Sequence, residues 1–346
     1  MPGFIAKILN KWQLILVAII FFLAGVFFEY RHYQITGGES SLGQIRQSTL
    51  SEKSAYRFID PLLACDLTTK KANTEFLPLK TKIENIIANK IYAHQATNVS
   101  VYFDTRDGRW LGINPNATYF PASLMKVPTL IAFLKLAEEQ PEILSKKIVY
   151  DGSYDLNTLE YYKPRTTLTP RRAYTVDDLL ERMIVNSDNN ALPLLVNAVD
   201  SKVLDDVYSD LGISIPPDVQ DSLKDYMTVK SYVNFFRVLY NSSYLTRAMS
   251  EKALALLSKP DFPRGIEGGV PNTVTVAQKF GERNFGTDPN DTTTGKELHD
   301  CGIVYYPGHP YLLCVMTKGT DFDKLAGTIQ DISKTIYQYM DDKNKS

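Results

Sequence analysis

The chain has 346 residues, 44% hydrophobic and 22% charged, which is ordinary for a globular protein with an ample core. Its 38 basic and 39 acidic side chains leave a net charge of −1, so composition gives no electrostatic case for nucleic acid. Three cysteines and four histidines fall in no metal-ligand spacing, so neither a zinc site nor a cofactor is expected.

The first feature in chain order is apolar. Residues 14–28 contain no charged or polar side chain and are flanked by Trp12 and Tyr30. With those flanks, a helix rising about 1.5 Å per residue comes close to the roughly 30 Å hydrocarbon thickness. A cleaved signal peptide is the competing reading, but Phe-Phe-Glu-Tyr at 27–30 offers no small-x-small cleavage site. Lys7 and Lys11 favour a cytoplasmic arm, against Arg31 on the far side. The expected organisation is a cytoplasmic arm (1–11), a transmembrane signal anchor (12–30), a linker and docking segment (31–75) and a main extracytoplasmic domain (76–346). The partner of residues 12–30 is the lipid bilayer of the cell membrane, crossed once.

Within the main domain, Leu79, Ile83, Ile86, Ile87 and Ile91 give residues 77–94 helical spacing. Residues 98–103 and 110–113 read as strands of a hairpin through Asp-Thr-Arg-Asp-Gly. From Leu124 onward the apolar pattern predicts a buried helix, which tolerates Pro128 in its first turns. Further helices fill residues 176–258. Strands return at 273–278, 301–306 and 311–316, with a polar loop at 284–298. A final helix carries Leu325, Ile329, Ile332, Ile336 and Met340 on one stripe. This order predicts an α+β fold in which both chain ends build one sheet and the middle forms an all-helical lobe.

Three short motifs are distributed over that framework. Ser123 and Lys126 form the chain's single S-x-x-K, in Phe-Pro-Ala-Ser-Leu-Met-Lys-Val-Pro. Three positions apart on a helix, the two side chains share a face, so the amine can take the hydroxyl proton and activate a nucleophile without histidine. Ser187-Asp188-Asn189 and Lys279-Phe280-Gly281 follow. His32, His94, His299 and His309 carry no Ser-His-Asp signature. In order and kind the motifs match S-x-x-K, S-D-N and, at two of three positions, K-T-G.

Over about residues 76–341 the chain therefore resembles the penicillin-recognising serine hydrolases, and most of all the class A β-lactamases. The resemblance implies a β-lactamase/transpeptidase-like fold, an antiparallel sheet beside the helical lobe, with the active site between them. It also implies roles. Ser123 is acylated, Lys126 accepts its proton, and Ser187 relays a proton to the leaving nitrogen. The backbone N–H groups of Ser123 and Glu282 form the oxyanion hole. Asn189, Lys279, Phe280 and Gly281 contact substrate, and Lys279 helps depress the Lys126 pKa. Asp188 reads as a loop-fixing carboxylate.

Two departures matter. Phe280 stands where the family carries threonine or serine, so a contact worth roughly 1.5–3 kcal/mol to a substrate carboxylate loses its donor. Class A enzymes also carry a deacylating glutamate in a Glu-x-x-Leu-Asn setting after the second motif. Residues 190–276 contain no such pattern, leaving Asp218 or Asp221 to substitute. The expected function is acylation of Ser123 by a β-lactam or related amide, then slow hydrolysis. The alternatives are a D-alanyl carboxypeptidase or transpeptidase acting on peptidoglycan stem peptides, or a wall-binding or penicillin-sensing module without turnover. Oligomeric state is left open. For the cysteines, a hairpin turning at 307–310 sets Cys314 opposite Val304 or a neighbour. That leaves either a Cys65–Cys301 bridge or three buried thiols.

Overall fold

The computed structural model describes residues 56–60, 74–105, 108–213, 215, 224–260, 262–285 and 295–345. The expected anchor at 12–30, Cys65, Asp218 and Asp221 lie outside them. Leu77–Tyr92 forms α1, with Pro78 in its first turn and Leu79, Ile83 and Ile87 buried. Ile91, expected on the same stripe, faces solvent. The hairpin follows as β1 (Asn98–Asp104) and β2 (Trp110–Ile113).

The middle of the chain is helical. A 3-10 turn (Ala122–Met125) leads into α2 (Lys126–Glu139), whose third residue is Pro128, where no intrahelical N–H is needed. Thr175 and Asp178 close a reciprocal capping box on α3 (Val176–Val185). Thr228 and Thr246 cap α4 (Val229–Tyr240) and α5 (Arg247–Leu257) through their hydroxyls. The chain then returns to strands, β3 (Val276–Phe285), β4 (Gly295–Val304) and β5 (Tyr311–Gly319), and ends in α6 (Phe322–Lys345).

The five strands form one antiparallel sheet in the order β2-β1-β5-β4-β3. Both chain ends contribute to it, as the element order predicts. One face carries Val99, Val101, Phe103, Leu313 and Val315 against α1 and α6. The other carries Tyr102, Leu312, Cys314 and Met316 into the core shared with the helical lobe. With both faces covered, six of the seven β1 residues are buried and the simple in-out alternation of a half-exposed strand disappears. A buried ion pair crosses from lobe to sheet, Arg237 Nη2 to Asp104 Oδ2 at 2.7 Å.

Two expectations need correction. The polar loop is shorter than 284–298, because β3 runs to Phe285 and β4 begins at Gly295. The C-terminal hairpin is also shifted. Val304 pairs with Tyr311, so residues 305–310 make the connection and Cys301 lies directly opposite Cys314. Those two cysteines are disulfide-bonded, not Cys65 and Cys301. The error arose from centring the turn on Pro-Gly-His-Pro, which moves the cross-strand partners by two residues. Non-reducing peptide mapping should recover residues 301 and 314 in one cross-linked fragment, with Cys65 separate. Reduction should cost on the order of 2–3 kcal/mol of stability, read as a lower Tm.

Candidate active site

The site is assembled where the edge strand β3 meets the start of α2. Ala122 has φ +49°, a left-handed conformation that side chains other than glycine rarely adopt. It turns the chain into the 3-10 segment that holds Ser123. In such a turn residues i and i+3 eclipse one another, so Ser123 and Lys126 share a side more closely than on an α-helix. Three contacts fix this segment. Tyr232 Oη donates to the Leu124 carbonyl at 2.8 Å. His299 Nε2 lies 3.0 Å from the Phe120 carbonyl while its Nδ1 accepts from the Thr317 N–H at 3.3 Å, which makes Nε2 the protonated nitrogen. Burial lowers the His299 pKa to about 3, so the ring is neutral. Third, a Cβ at Gly281 would stand 2.7 Å from the Pro121 carbonyl oxygen and 3.0 Å from the Leu124 nitrogen, so only glycine lets β3 pack this closely on the turn.

Lys126 and Lys279 are both about 1% exposed. Lys126 Nζ donates to the Ser187 carbonyl at 2.7 Å, to Ser187 Oγ at 3.2 Å and to Asn189 Oδ1 at 2.5 Å. Lys279 Nζ donates to the same Ser187 Oγ at 2.9 Å and to the Phe280 carbonyl at 2.9 Å. Burial lowers the Lys126 pKa to about 8, against the opposing pull of the Glu160, Asp188 and Glu282 carboxylates. Lys279 is pushed well below the ordinary lysine range by burial and then by the charge of Lys126. Ser187, itself at φ +55°, accepts from both amines. Its two lone pairs are then taken, so its O–H is left to donate to a third group.

The other motif residues are placed by the loop before α3. Asp188 is saturated. It accepts from Asn157 Nδ2 at 2.7 Å, Leu168 N at 2.9 Å and Asn190 N at 2.9 Å, which makes it a loop-fixing group. Asn189 Nδ2 donates to the Glu160 carboxylate. Phe280 is buried, its ring stacked on Phe262 at 4.1 Å and lying 4.2 Å beneath Lys279 Nζ. Where the family has a hydroxyl, this chain closes one side of Lys279 with an aromatic face.

Four participants were not picked out by the sequence: Asn157, Glu160, His299 and the side chain of Glu282. Glu282 Oε1 accepts from the Tyr161 and Tyr162 N–H groups at 2.7 and 3.0 Å. Burial, followed by the neighbouring Glu160 carboxyl, raises its pKa to about 8. The segment that carries Glu160 spans the two lobes. Asn157 is held by Asp188 and Asn189 of the helical lobe. Tyr161 and Tyr162 bond Glu282 on β3 and, through their hydroxyls, Asp323 on α6. Asp-Leu-Asn-Thr-Leu-Glu-Tyr-Tyr has neither helical nor strand periodicity, so nothing local marks it.

This arrangement offers a serine hydroxyl one turn from a buried amine of lowered pKa, a second hydroxyl free to donate, and an edge strand with open backbone groups. The family model for the β-lactamase enzyme family matches residues 78–340. A β-lactamase of Streptomyces albus G is 23% identical over 255 residues, covering 68% of this chain and 77% of that protein. Among solved structures, the β-lactamase of Sphaerobacter thermophilus aligns with a TM-score of 0.62 at 21% identity, over 75% of this chain and 96% of that one. A PBP-A mutant solved as an acyl-enzyme complex with penicillin G gives 0.61 at 18% identity, over 76% and 97%. These structural likenesses identify the fold as β-lactamase/transpeptidase-like, an antiparallel sheet with a helical lobe. Since the family model spans most of the chain, the protein belongs to the β-lactamase enzyme family, as a serine hydrolase close to class A.

Proposed function

We propose that the protein hydrolyses a β-lactam or a related amide through an acyl-enzyme on Ser123. The observation that carries this reading is the buried Lys126 amine, which is shared between Ser187 and Asn189 and has its pKa lowered to about 8. An amine that spends part of its time neutral at physiological pH can take the Ser123 proton. The Ser123 oxygen then attacks the carbonyl carbon, and charge collects on the carbonyl oxygen between the backbone N–H groups of Ser123 and Glu282. Ser187, whose lone pairs are held by the two lysines, donates its proton to the departing nitrogen and is resupplied from Lys126. Asn189 Nδ2 receives the substrate's amide side chain in exchange for Glu160. Gly281 lets the edge strand lie against the reacting centre. Lys279 supplies positive potential from behind Ser187, while Phe280 supplies no donor, so a substrate carboxylate is held less firmly than by a hydroxyl.

One sequence feature favours a second substrate class. An anchor at 12–30 and a linker at 31–75 would hold the domain on the outer side of the cell membrane, near peptidoglycan, where stem peptides are the natural amides. No helix among the described residues is long and apolar enough to cross a membrane.

Three outcomes test these assignments. Intact mass spectrometry with benzylpenicillin should show one adduct on the wild-type chain and none on Ser123→Ala; labelling that persists at another residue would overturn the nucleophile. The second-order acylation rate should rise about tenfold per pH unit below about pH 8 and level off above it. The sign follows because the base is blocked while protonated, and a rate flat from pH 6 to 9 would exclude Lys126 as that base. The full chain should sediment with membranes and a chain lacking residues 1–30 should not; equal solubility of the two would remove the anchor.

A further inference from the structure

We propose that Glu160, paired with Glu282, activates the water that hydrolyses the acyl-enzyme, replacing the glutamate missing from residues 190–276. This rests on acylation of Ser123 as described above and assigns the step that follows it. The inference stands on position. Glu160 reaches Asn189 Nδ2, and Asn189 Oδ1 holds Lys126, so the carboxylate is one amide away from the amine that serves Ser123. Glu282 follows Gly281, the residue packed on the turn that carries Ser123. The pair is thus tied to the site from both lobes.

Other carboxylates are engaged elsewhere. Asp188 is saturated by three donors. Asp225 is paired with Lys318 and Arg283. Asp210 accepts from Tyr244, and Glu251 from the backbone at Arg57, Phe58 and Ile59. Among the described residues, Asp300 also lies beside Lys279, fully buried with its Oδ2 on the Ile266 N–H, while the Glu160–Glu282 pair is the one tied to Asn189.

Burial, and then the neighbouring Glu160 carboxyl, favour a proton on Glu282. Glu282 is suited to hold it. Its Oε1 accepts two backbone N–H groups, as the carbonyl oxygen of an acid does. Its Oε2 is buried and has no hydrogen-bond partner, so it is the oxygen left to carry a proton. Glu160, which also holds Asn189 Nδ2, is the member placed to act on water. In the hydrolytic step its carboxylate removes a proton from water as the water oxygen bonds to the ester carbonyl carbon. The tetrahedral intermediate collapses by breaking the bond to Ser123 Oγ. The proton held by Glu160 goes to Oγ, which restores serine, the carboxylate and a free acid product.

The test uses the full chain in detergent, benzylpenicillin as the probe, and intact mass followed through acylation and a chase. Glu160→Gln should lose its adduct at least 100-fold more slowly than wild type, a far larger fall than any in its acylation rate, and Glu160→Asp should recover part of that loss. Equal adduct decay in wild type and Glu160→Gln would overturn the proposal. So would a parallel fall in acylation and deacylation, which marks a structural role, or a wild-type adduct that persists for hours. Failure of the underlying reading looks different: the wild-type chain would then take no adduct on Ser123 at all.

Discussion

Two lysine amines are buried against one serine hydroxyl, and the chemistry of the site follows from that constraint. Removing ammonium groups from water is costly, and each is tolerated here through hydrogen bonds and neighbouring carboxylates. Ser187 Oγ receives both amines, and Lys126 has Asn189 and a carbonyl besides. Burial lowers the proton affinity of both amines, and the charge of Lys126 lowers that of Lys279 further. An amine that is partly neutral near physiological pH is thus a consequence of packing. The one histidine near this region, His299, is buried neutral and supports the Phe120 carbonyl instead.

The lobes hold this arrangement from opposite sides. The helical lobe supplies Lys126, Ser187 and Asn189, and the sheet supplies Lys279 on its edge strand. The cluster therefore forms only when the two domains of the fold are docked. The Arg237–Asp104 pair and the segment from Asn157 to Tyr162 cross that junction. Two of the six non-glycine residues in left-handed conformations among the described residues, Ala122 and Ser187, lie at the same place. Phe280 adds a specificity consequence. Its ring joins the core with Phe262, so the position beside Lys279 is apolar where relatives offer a hydroxyl.

Local pattern carried the sequence reading where contacts are local. The stripe Leu79, Ile83 and Ile87 located α1, and the apolar run after Ser123 located α2, though the 3-10 turn holding Ser123 was read as helix. It failed where a register was needed. Centring a turn one residue away in sequence moved every cross-strand partner by two, and with it the disulfide. The ends of β3 and β4 were read as loop because Asn284, Lys296 and Glu297 are polar, yet those positions continue the ladder.

By itself the sequence determined the nucleophile and base candidates, the Lys279-Phe280-Gly281 motif, and the division into a two-ended sheet and a helical middle. Each of these is written in contiguous residues or in a repeating apolar period, which survives without knowledge of the fold. Only the tertiary structure decided that Cys301 meets Cys314, that Phe280 turns into the core, and that Glu160 meets Glu282. The last contact joins a loop without periodicity to a strand about 120 residues further on, held by the neighbouring Tyr161 and Tyr162 N–H groups. Its existence depends on the path of the whole intervening chain, and no local preference of either glutamate encodes that path.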